Sequence, residues 1–211
     1  MKDYINTIEK AERRYLPNQK VEVRALPDGT ESYIIRGYAA LFNVATELGY
    51  CQEIIAPGAF DDCLEDDVRC LFNHSCESVL GRTAAGTLEI GVDNMGLYYE
   101  CQLDSMNTDH MNLYRSIQRG DINQSSFAFT ISEVQWNFSE EMDTRTIVKC
   151  ECLYDVSPVT YPAYQDTTVS ARGKEDYDKM KNDISEEKQS EINKREAFAM
   201  RWTNFKTKTN K

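Results

Sequence analysis

Two histidines, His74 and His110, are the side chains of this sequence best suited to exchange a proton at neutral pH. His110 lies within a helical pattern beside apolar neighbours, which favours a packing or surface role. His74 follows the apolar run 70–72, which is typical of a buried strand, and begins the polar loop 75–78. A histidine at a strand end beside a loop is well placed to accept and return a proton, so His74 is the candidate general base.

Two serines, Ser125 and Ser126, precede an alternation of aromatic and small residues that is typical of a strand. Phe127 and Phe129 share one face of that strand, and Ser126 lies on the other. If the phenylalanine face is the core, Ser126 points away from it and is accessible. If the phenylalanines lie outside, Ser126 is a buried structural serine. A serine hydroxyl is a weak nucleophile until a base removes its proton, and His74 is the candidate for that base.

A third group could orient the imidazole ring and stabilise its cation, as the acid of a catalytic triad does. Asp155 is the leading candidate, because it is an acidic residue at the end of an otherwise apolar strand. Glu133 and Glu151 are the alternatives, and a simple surface charge is a further open interpretation. A serine, a histidine and an acid in contact would perform acyl transfer.

The seven cysteines suggest a different chemistry, metal binding. The nearest approach to a ligand cluster is Cys70, His74 and Cys76, with Cys63 as a more distant fourth. Structural zinc usually takes two close ligand pairs, and no Cys-x-x-C occurs here, so buried and reduced thiols are the favoured interpretation. We predict no metal and no cofactor.

The composition of the chain limits its partners. The chain has 211 residues and a net charge of -11, enough for one ordinary domain with a tail. Such an acidic chain repels phosphate backbones, which argues against a nucleic-acid partner. The apolar runs are far shorter than the roughly 20 residues that span a bilayer, and the first residues lack the apolar segment of a secretion signal. We therefore expect no membrane association and a function in the compartment of synthesis.

Hydrophobic periodicity indicates mostly strands and three helices, hence an α+β class with a β-rich core that forms a curled sheet or barrel. The predicted helices are residues 2–14, a short helix that opens at Pro57, and residues 106–119 with Gly120 as the stop. Residues 43–56 are expected to be a loop. The predicted strands are a hairpin over 20–42 and the segments 67–72, 79–82, 86–92, 97–103, 125–136 and 145–154.

Three segments follow from this pattern. Residues 1–17 are predicted to be an N-terminal amphipathic helix, residues 18–171 the folded domain, and residues 172–211 a charged tail. The tail has too few apolar residues to build a core of its own. We expect part of it to be disordered and part to be a conditional helix.

The sequence also contains an ordered set of short motifs over about residues 32–170. In chain order they are residues 37–43 (GYAALFN), 53–60 (EIIAPGAF), 67–74 (DVRCLFNH), 79–88 (VLGRTAAGTL), 119–122 (RGDI), 126–129 (SFAF) and 155–162 (DVSPVTYP). Each motif alone has low specificity, but the ordered set is specific. It resembles the prohead maturation proteases of tailed phages, of the HK97 type.

The resemblance implies a serine endopeptidase with a fold similar to the herpesvirus assemblins, a mostly antiparallel seven-stranded β-barrel with flanking helices. It implies His74 as the general base and Ser126, not Ser125, as the nucleophile. Asp155 takes the position of the third triad member. Arg82 is a candidate helper at the oxyanion site, beside backbone N–H donors.

The resemblance also implies partners and a location. The substrates would be segments of the major capsid protein or scaffold, together with the protease chain itself through autocleavage. The protein would be a homodimer in the cytoplasm of the bacterial host, inside the procapsid. The alternative is a non-enzymatic capsid-assembly or scaffolding protein that keeps the barrel, and cleavage of a capsid or scaffold partner would separate the two.

Overall fold

The computed structural model describes residues 11–15, 21–24, 33–161, 174 and 177–195. By its internal contacts the chain divides into two compact units, Met1–Val169 and Ser170–Lys211. The described part of the first unit contains one α-helix, α1 (Thr108–Arg119), and two short 3-10 helices. Its strands are β1 (Glu12–Tyr15), β2 (Glu22–Arg24), β3 (Ile34–Leu41), β4 (Thr46–Glu47), β5 (Gln52–Ile55), β6 (Arg69–Leu71), β7 (Val79–Arg82), β8 (Leu88–Val92), β9 (Gly96–Gln102), β10 (Gln124–Asn137) and β11 (Thr144–Val159).

These strands form two sheets. The larger has seven strands: a path β1-β10-β11-β5-β4, with β6 also paired to β11 and β7 paired to β6. The smaller has four strands in the order β2-β3-β9-β8. All pairs are antiparallel except β5 and β6 with β11. The molecule is therefore α+β, as predicted. Within the described residues the ladders define two separate sheets, so the closed seven-stranded barrel stays a prediction.

One large cluster of buried apolar side chains forms the core, and both sheets contribute to it. Leu97 and Tyr99 enter it from the smaller sheet, and Phe127 and Phe129 enter it from β10. The ring of Phe127 stacks on that of Phe129 at 4.7 Å between centroids and meets the ring of Phe60 edge-on at 5.7 Å. The phenylalanine face of β10 is thus the core face.

Two segments differ from the sequence prediction. The amphipathic helix predicted over residues 2–14 is wrong at its C-terminal end, where Glu12–Tyr15 form β1; residues 1–10 lie outside the described part. The loop predicted over 43–56 contains β4 and β5. In both cases a strand late in the chain supplies the ladder partner, β10 for β1 and β11 for β5. Periodicity within a short segment does not detect such distant pairing.

Other elements follow the prediction closely. β2 and β3 pair as the predicted hairpin, whose turn lies outside the described residues. Helix α1 begins at Thr108, not at residue 106, because the side chain of Asn107 caps it by accepting hydrogen bonds from the N–H groups of Asp109 and His110. It ends at Gly120, which adopts a left-handed conformation with φ of 83°.

The packing role predicted for His110 is confirmed. Its Nδ1 accepts a hydrogen bond from the backbone N–H of Asp104 at 3.0 Å. Its Nε2 therefore carries the proton and donates to the carbonyl oxygen of Val79, also at 3.0 Å. The ring ties the start of α1 to β7.

The second unit contains a helix, α2, over residues 177–195. Its side chains are mostly exposed, and Lys181 Nζ donates to the hydroxyl of Tyr177 at 2.7 Å. Of the residues that the structure describes, none lies in a helix with both the length and the hydrophobicity of a membrane span.

Candidate active site

Three neighbouring strands of the larger sheet bring His74, Ser126 and Asp155 together. β11 lies between β10 and β6. Ser126 on β10 is directly opposite Ser157 on β11, and Asp155 lies two residues earlier on the same strand and so on the same face. β6 ends at Leu71 beside this part of β11, and His74 lies three residues after that strand end. The sheet therefore places one candidate group on each strand or at its end.

The His74 ring bridges the other two side chains. Its Nε2 lies 2.7 Å from Ser126 Oγ, and its Nδ1 lies 2.6 Å from Asp155 Oδ1. A carboxylate only accepts hydrogen bonds, so Nδ1 carries the proton and donates it to Asp155. Nε2 is then unprotonated and positioned to accept the single proton of the Ser126 hydroxyl, for which the carbonyl oxygen of Arg14 is a second acceptor at 3.0 Å. The structure brings together all three residues that the sequence singled out.

The backbone at the histidine is held in an uncommon conformation. Asn73 and His74 have φ angles of 54° and 57°, in the left-handed region that non-glycine residues rarely occupy. Such a conformation costs about 1–3 kcal/mol per residue and persists only where the surroundings fix it. Asn73 provides that fixation: its N–H donates to the carbonyl of Pro158 at 3.1 Å, and its Oδ1 accepts from the N–H of Thr160 at 2.9 Å. The loop that carries His74 is thus attached to the end of β11.

Ser157 holds the carboxylate of Asp155 in place through a hydrogen bond. Its hydroxyl donates to Asp155 Oδ1 at 2.6 Å, and both residues are buried. The sequence analysis missed this group. The available signal was the spacing, because residues two apart on a strand share a face and can interact.

Ser125 has a different environment from its neighbour. Its hydroxyl lies 2.8 Å from the hydroxyl of Tyr99, and both residues are fully buried. Burial is the main cause that raises the pKa of Tyr99, so the phenol stays neutral and needs a polar partner. Ser125 thus has a structural hydrogen bond in the core, away from the His74 ring.

The structure decides between the two orientations of Ser126 that the sequence left open. Phe127 and Phe129 face the core, so Ser126 points away from it, as the first alternative required. Ser126 nevertheless has no exposed surface. Part of the reason is β1, which pairs along β10 and places the carbonyl oxygen of Arg14 3.0 Å from Ser126 Oγ.

The other acids proposed for the third position do not occupy it. Glu133 and Glu151 are exposed, whereas Asp155 is the acid bonded to the His74 ring. Arg82, the candidate oxyanion helper, instead donates through its Nε to Asp67 at 2.7 Å.

The zinc alternative is not supported by the side-chain positions. Cys76 is exposed, Cys70 is fully buried, and both ring nitrogens of His74 are engaged by Asp155 and Ser126. Burial is the main cause that raises the pKa of the Cys70 thiol, which disfavours the thiolate that zinc needs. Within the described ranges no three His, Cys, Asp or Glu side chains form a group that could hold a metal.

An imidazole held between a carboxylate and a serine hydroxyl is the arrangement that defines the serine hydrolases with a catalytic triad. A family model for caudovirus prohead serine proteases matches residues 19–183 of the 211. The chain therefore belongs to the caudovirus prohead serine protease family. No curated protein and no solved structure matches it at the significance we required.

Membership of this family agrees with the resemblance found in the sequence motifs. It gives the chain the role of a phage capsid-maturation protease. It also implies capsid protein as the class of substrate and the procapsid, within the host, as the place of action.

Proposed function

We propose that this chain is a serine endopeptidase that cleaves segments of the major capsid protein or scaffold during procapsid maturation, and that it also cleaves itself. The observation that carries the proposal is the continuous hydrogen-bonded series from Ser126 through His74 to Asp155. Each of the two contacts has the length expected of a nucleophile with its base and of a base with its orienting acid.

The reaction is acyl transfer. His74 removes the proton from Ser126 as the hydroxyl attacks a peptide carbonyl, and His74 then gives the proton to the leaving amine. Asp155 keeps the ring oriented and stabilises its cation, and Ser157 holds Asp155. Water repeats the sequence on the acyl-enzyme. Backbone N–H groups are the proposed donors to the oxyanion, a contribution of about 3–4 kcal/mol in such enzymes.

The remaining expectations from the resemblance are part of the same proposal. We propose a homodimer, a location inside the procapsid in the host cytoplasm, and a mostly antiparallel seven-stranded barrel. Enclosure with the substrate raises its effective concentration, so weak intrinsic affinity is sufficient. The net charge of -11 supports the absence of a nucleic-acid partner.

Cleavage is expected to be insensitive to chelators and to reagents that block exposed thiols, because neither a metal nor a thiolate takes part in the proposed steps. The test incubates the purified chain with unassembled capsid protein, with and without EDTA or iodoacetamide, and follows the products by intact mass. Cys76 is the exposed cysteine among those the structure describes, so it reports on the alkylation. Complete inhibition by EDTA that zinc reverses would replace the serine mechanism with a metal mechanism. A capsid protein left uncut in every condition would favour the scaffolding alternative.

A chain that ends at residue 173 is expected to fold and to cleave a peptide, yet to be missing from purified proheads. The tail is rich in charge and poor in apolar residues, and we propose that it delivers the protease into the assembling shell. Circular dichroism, peptide cleavage and the protein content of proheads measure the three outcomes. Normal packaging of the shortened chain would contradict the delivery role, and an insoluble product would show that the tail is needed for folding.

A further inference from the structure

Strand β1 pairs with β10, the strand that carries Ser126. It pairs antiparallel along β10 with Tyr15 opposite Ser126 and Arg14 opposite Phe127. Addition of a strand to a sheet edge is a general mode of peptide recognition, in which the ladder supplies affinity and pockets for alternate side chains supply specificity. The strand that carries the nucleophile therefore already holds a segment of this chain in a substrate-like position.

The register of β1 identifies one peptide bond. The Ser126 hydroxyl, whose Oγ lies 2.7 Å from His74 Nε2, can also donate to the carbonyl oxygen of Arg14 at 3.0 Å, so this carbonyl group is the one beside the nucleophile. The bond on the carboxyl side of this carbonyl joins Arg14 to Tyr15. In a peptide bound in this register, the residue before the scissile bond takes the position of Arg14.

The Arg14 side chain enters a buried site beside the carboxylate of Glu53. Its Nε lies 2.5 Å from Glu53 Oε1, and its second terminal nitrogen lies 3.0 Å from Glu53 Oε2, a bidentate contact. Glu53 is only 3% exposed and belongs to β5, away from β1 in the sequence. The guanidinium also lies 6.0 Å from the centre of the Phe129 ring. The site thus offers an arginine side chain a carboxylate to bind, a buried position and the face of an aromatic ring.

A second set of contacts, made by Arg145, recognises the residue two positions before the arginine. Glu12 lies on the same face of β1 as Arg14 and accepts hydrogen bonds from Arg145 at 3.2 and 3.3 Å. Arg145 also donates to Glu53 at 3.0 Å. Burial alone would raise the pKa of Glu12, but the charges of Arg14 and Arg145 outweigh it and the pKa is lowered. Glu12 is therefore charged at neutral pH.

Glu12, Arg14, Glu53 and Arg145 form an ion cluster whose charges divide into two neutral pairs. β1 contributes Glu12 and Arg14, and the body of the protein contributes Glu53 and Arg145. When β1 leaves, the body keeps a neutral ion pair. A peptide that brings an arginine alone adds an uncompensated positive charge at a buried site, which is costly. A peptide that brings both an arginine and an acid two residues before it restores the balance.

We propose that residues 11–15 occupy the substrate site, and that Glu53 and Arg145 select peptides with the pattern Glu-x-Arg, cut after the arginine. The inference rests on the proposed function. In the reaction Ser126 Oγ bonds to the carbonyl carbon of the arginine, the bond to the next nitrogen breaks, and that nitrogen takes a proton from His74. Water then hydrolyses the ester and releases the peptide acid.

The first test uses the full-length enzyme and a library of peptides from a bacterial proteome digested with chymotrypsin, which leaves Glu and Arg within the peptides. Mass spectrometry identifies cuts made by the wild type and not by Ser126→Ala. We expect arginine directly before most of these cuts, with glutamate enriched two residues earlier. Cuts that depend on Ser126 but show no preference for arginine would overturn the inference and leave the proposed function intact. A complete lack of such cuts would overturn the proposed function and this inference with it.

The second test separates recognition from a structural role. A peptide with the sequence of residues 9–20 is compared with versions that carry glutamine in place of its arginine at 14 or its glutamate at 12. Glu53→Gln in the enzyme also weakens the hold on Arg14, which affects both peptides alike. The ratio of kcat/KM for the parent peptide to kcat/KM for the glutamine-for-arginine peptide is therefore the readout, and it should fall by about 10²-fold. Glu89→Gln, an exposed acid on β8, is the matched control and should leave this ratio unchanged.

Arg14→Gln in the enzyme has the opposite expected effect. It weakens the segment that occupies the site, so cleavage of the parent peptide should become faster, by about tenfold. If the ion cluster were only structural, Arg14→Gln and Glu53→Gln would both lower the activity on every peptide equally, and that result would overturn the proposal. The comparison of peptides on wild-type enzyme does not depend on how either variant folds.

Discussion

Replacement of Ser126 by alanine is expected to lower kcat/KM for a capsid-derived peptide by about 10⁴-fold or more, while the protein stays folded. Loss of the nucleophile of a triad removes nearly all of the triad's contribution, because its members act as a unit. The strand accepts a small side chain, since Ala128 occupies the same face of β10. Peptide cleavage measures the first part of the prediction, and thermal unfolding followed by circular dichroism measures the second.

Ser125→Ala is the matched control, and its expected effect is on stability. The substitution leaves the buried hydroxyl of Tyr99 without its hydrogen bond to Ser125, which costs about 1–3 kcal/mol of unfolding free energy. The folded enzyme should still cleave the peptide. If the Ser125 variant were inactive and the Ser126 variant active, the strand would be displaced by one residue, which moves every side chain to the opposite face.

Asp155→Asn is expected to lower kcat/KM by about 10²–10⁴-fold without loss of the fold. The amide oxygen of asparagine can still accept the hydrogen bond from Ser157, so the side chain keeps its place, but the negative charge that stabilises the imidazolium is lost. His74→Ala should cost at least as much. The double variant should be little worse than His74→Ala alone, because Asp155 acts through the ring.

Glu151→Gln is the control for the acid, because it lies four residues earlier on β11 and is exposed. It should keep wild-type kcat/KM. A loss of activity in Glu151→Gln with none in Asp155→Asn would show that the third position was misassigned. Full activity in His74→Ala would contradict the whole assignment of the site.

The local elements near the site were predictable because their signals lie within short segments. The alternation at Ser126–Phe129 predicts a strand, and Gly120 marks the end of α1. The three site residues could be proposed because a serine needs a base and the chain has only two histidines. The motif order then favoured Ser126 over Ser125.

The ion pair between Arg14 and Glu53 could not be predicted, because it depends on strand pairs that are distant in sequence. Glu53 lies in a segment expected to be a loop, and it becomes a strand only through its parallel ladder with β11. Arg14 lies in a segment whose apolar spacing suggested a helix, and β10 draws it into a sheet. The contact between the two depends on both pairings at once. No pattern within either segment reports it.

The burial of Ser126 could also not be predicted from the sequence. An alternating strand next to solvent predicts an accessible residue on its polar face, and the direction of the side chain agrees with that. The extra cover comes from β1, which the sequence analysis had assigned to a helix. Because β1 was predicted to be a helix, the burial of Ser126 beneath it was missed as well.

Co-expression with the phage's major capsid protein tests the central claim most directly. The capsid protein is produced with the wild-type chain, with Ser126→Ala or with Ser125→Ala, and the intact masses of both proteins are measured. The wild type and the Ser125 variant should yield a shortened capsid protein, and the Ser126 variant should leave it at full length. A capsid protein that is shortened equally beside Ser126→Ala would contradict the assignment of Ser126 as the nucleophile.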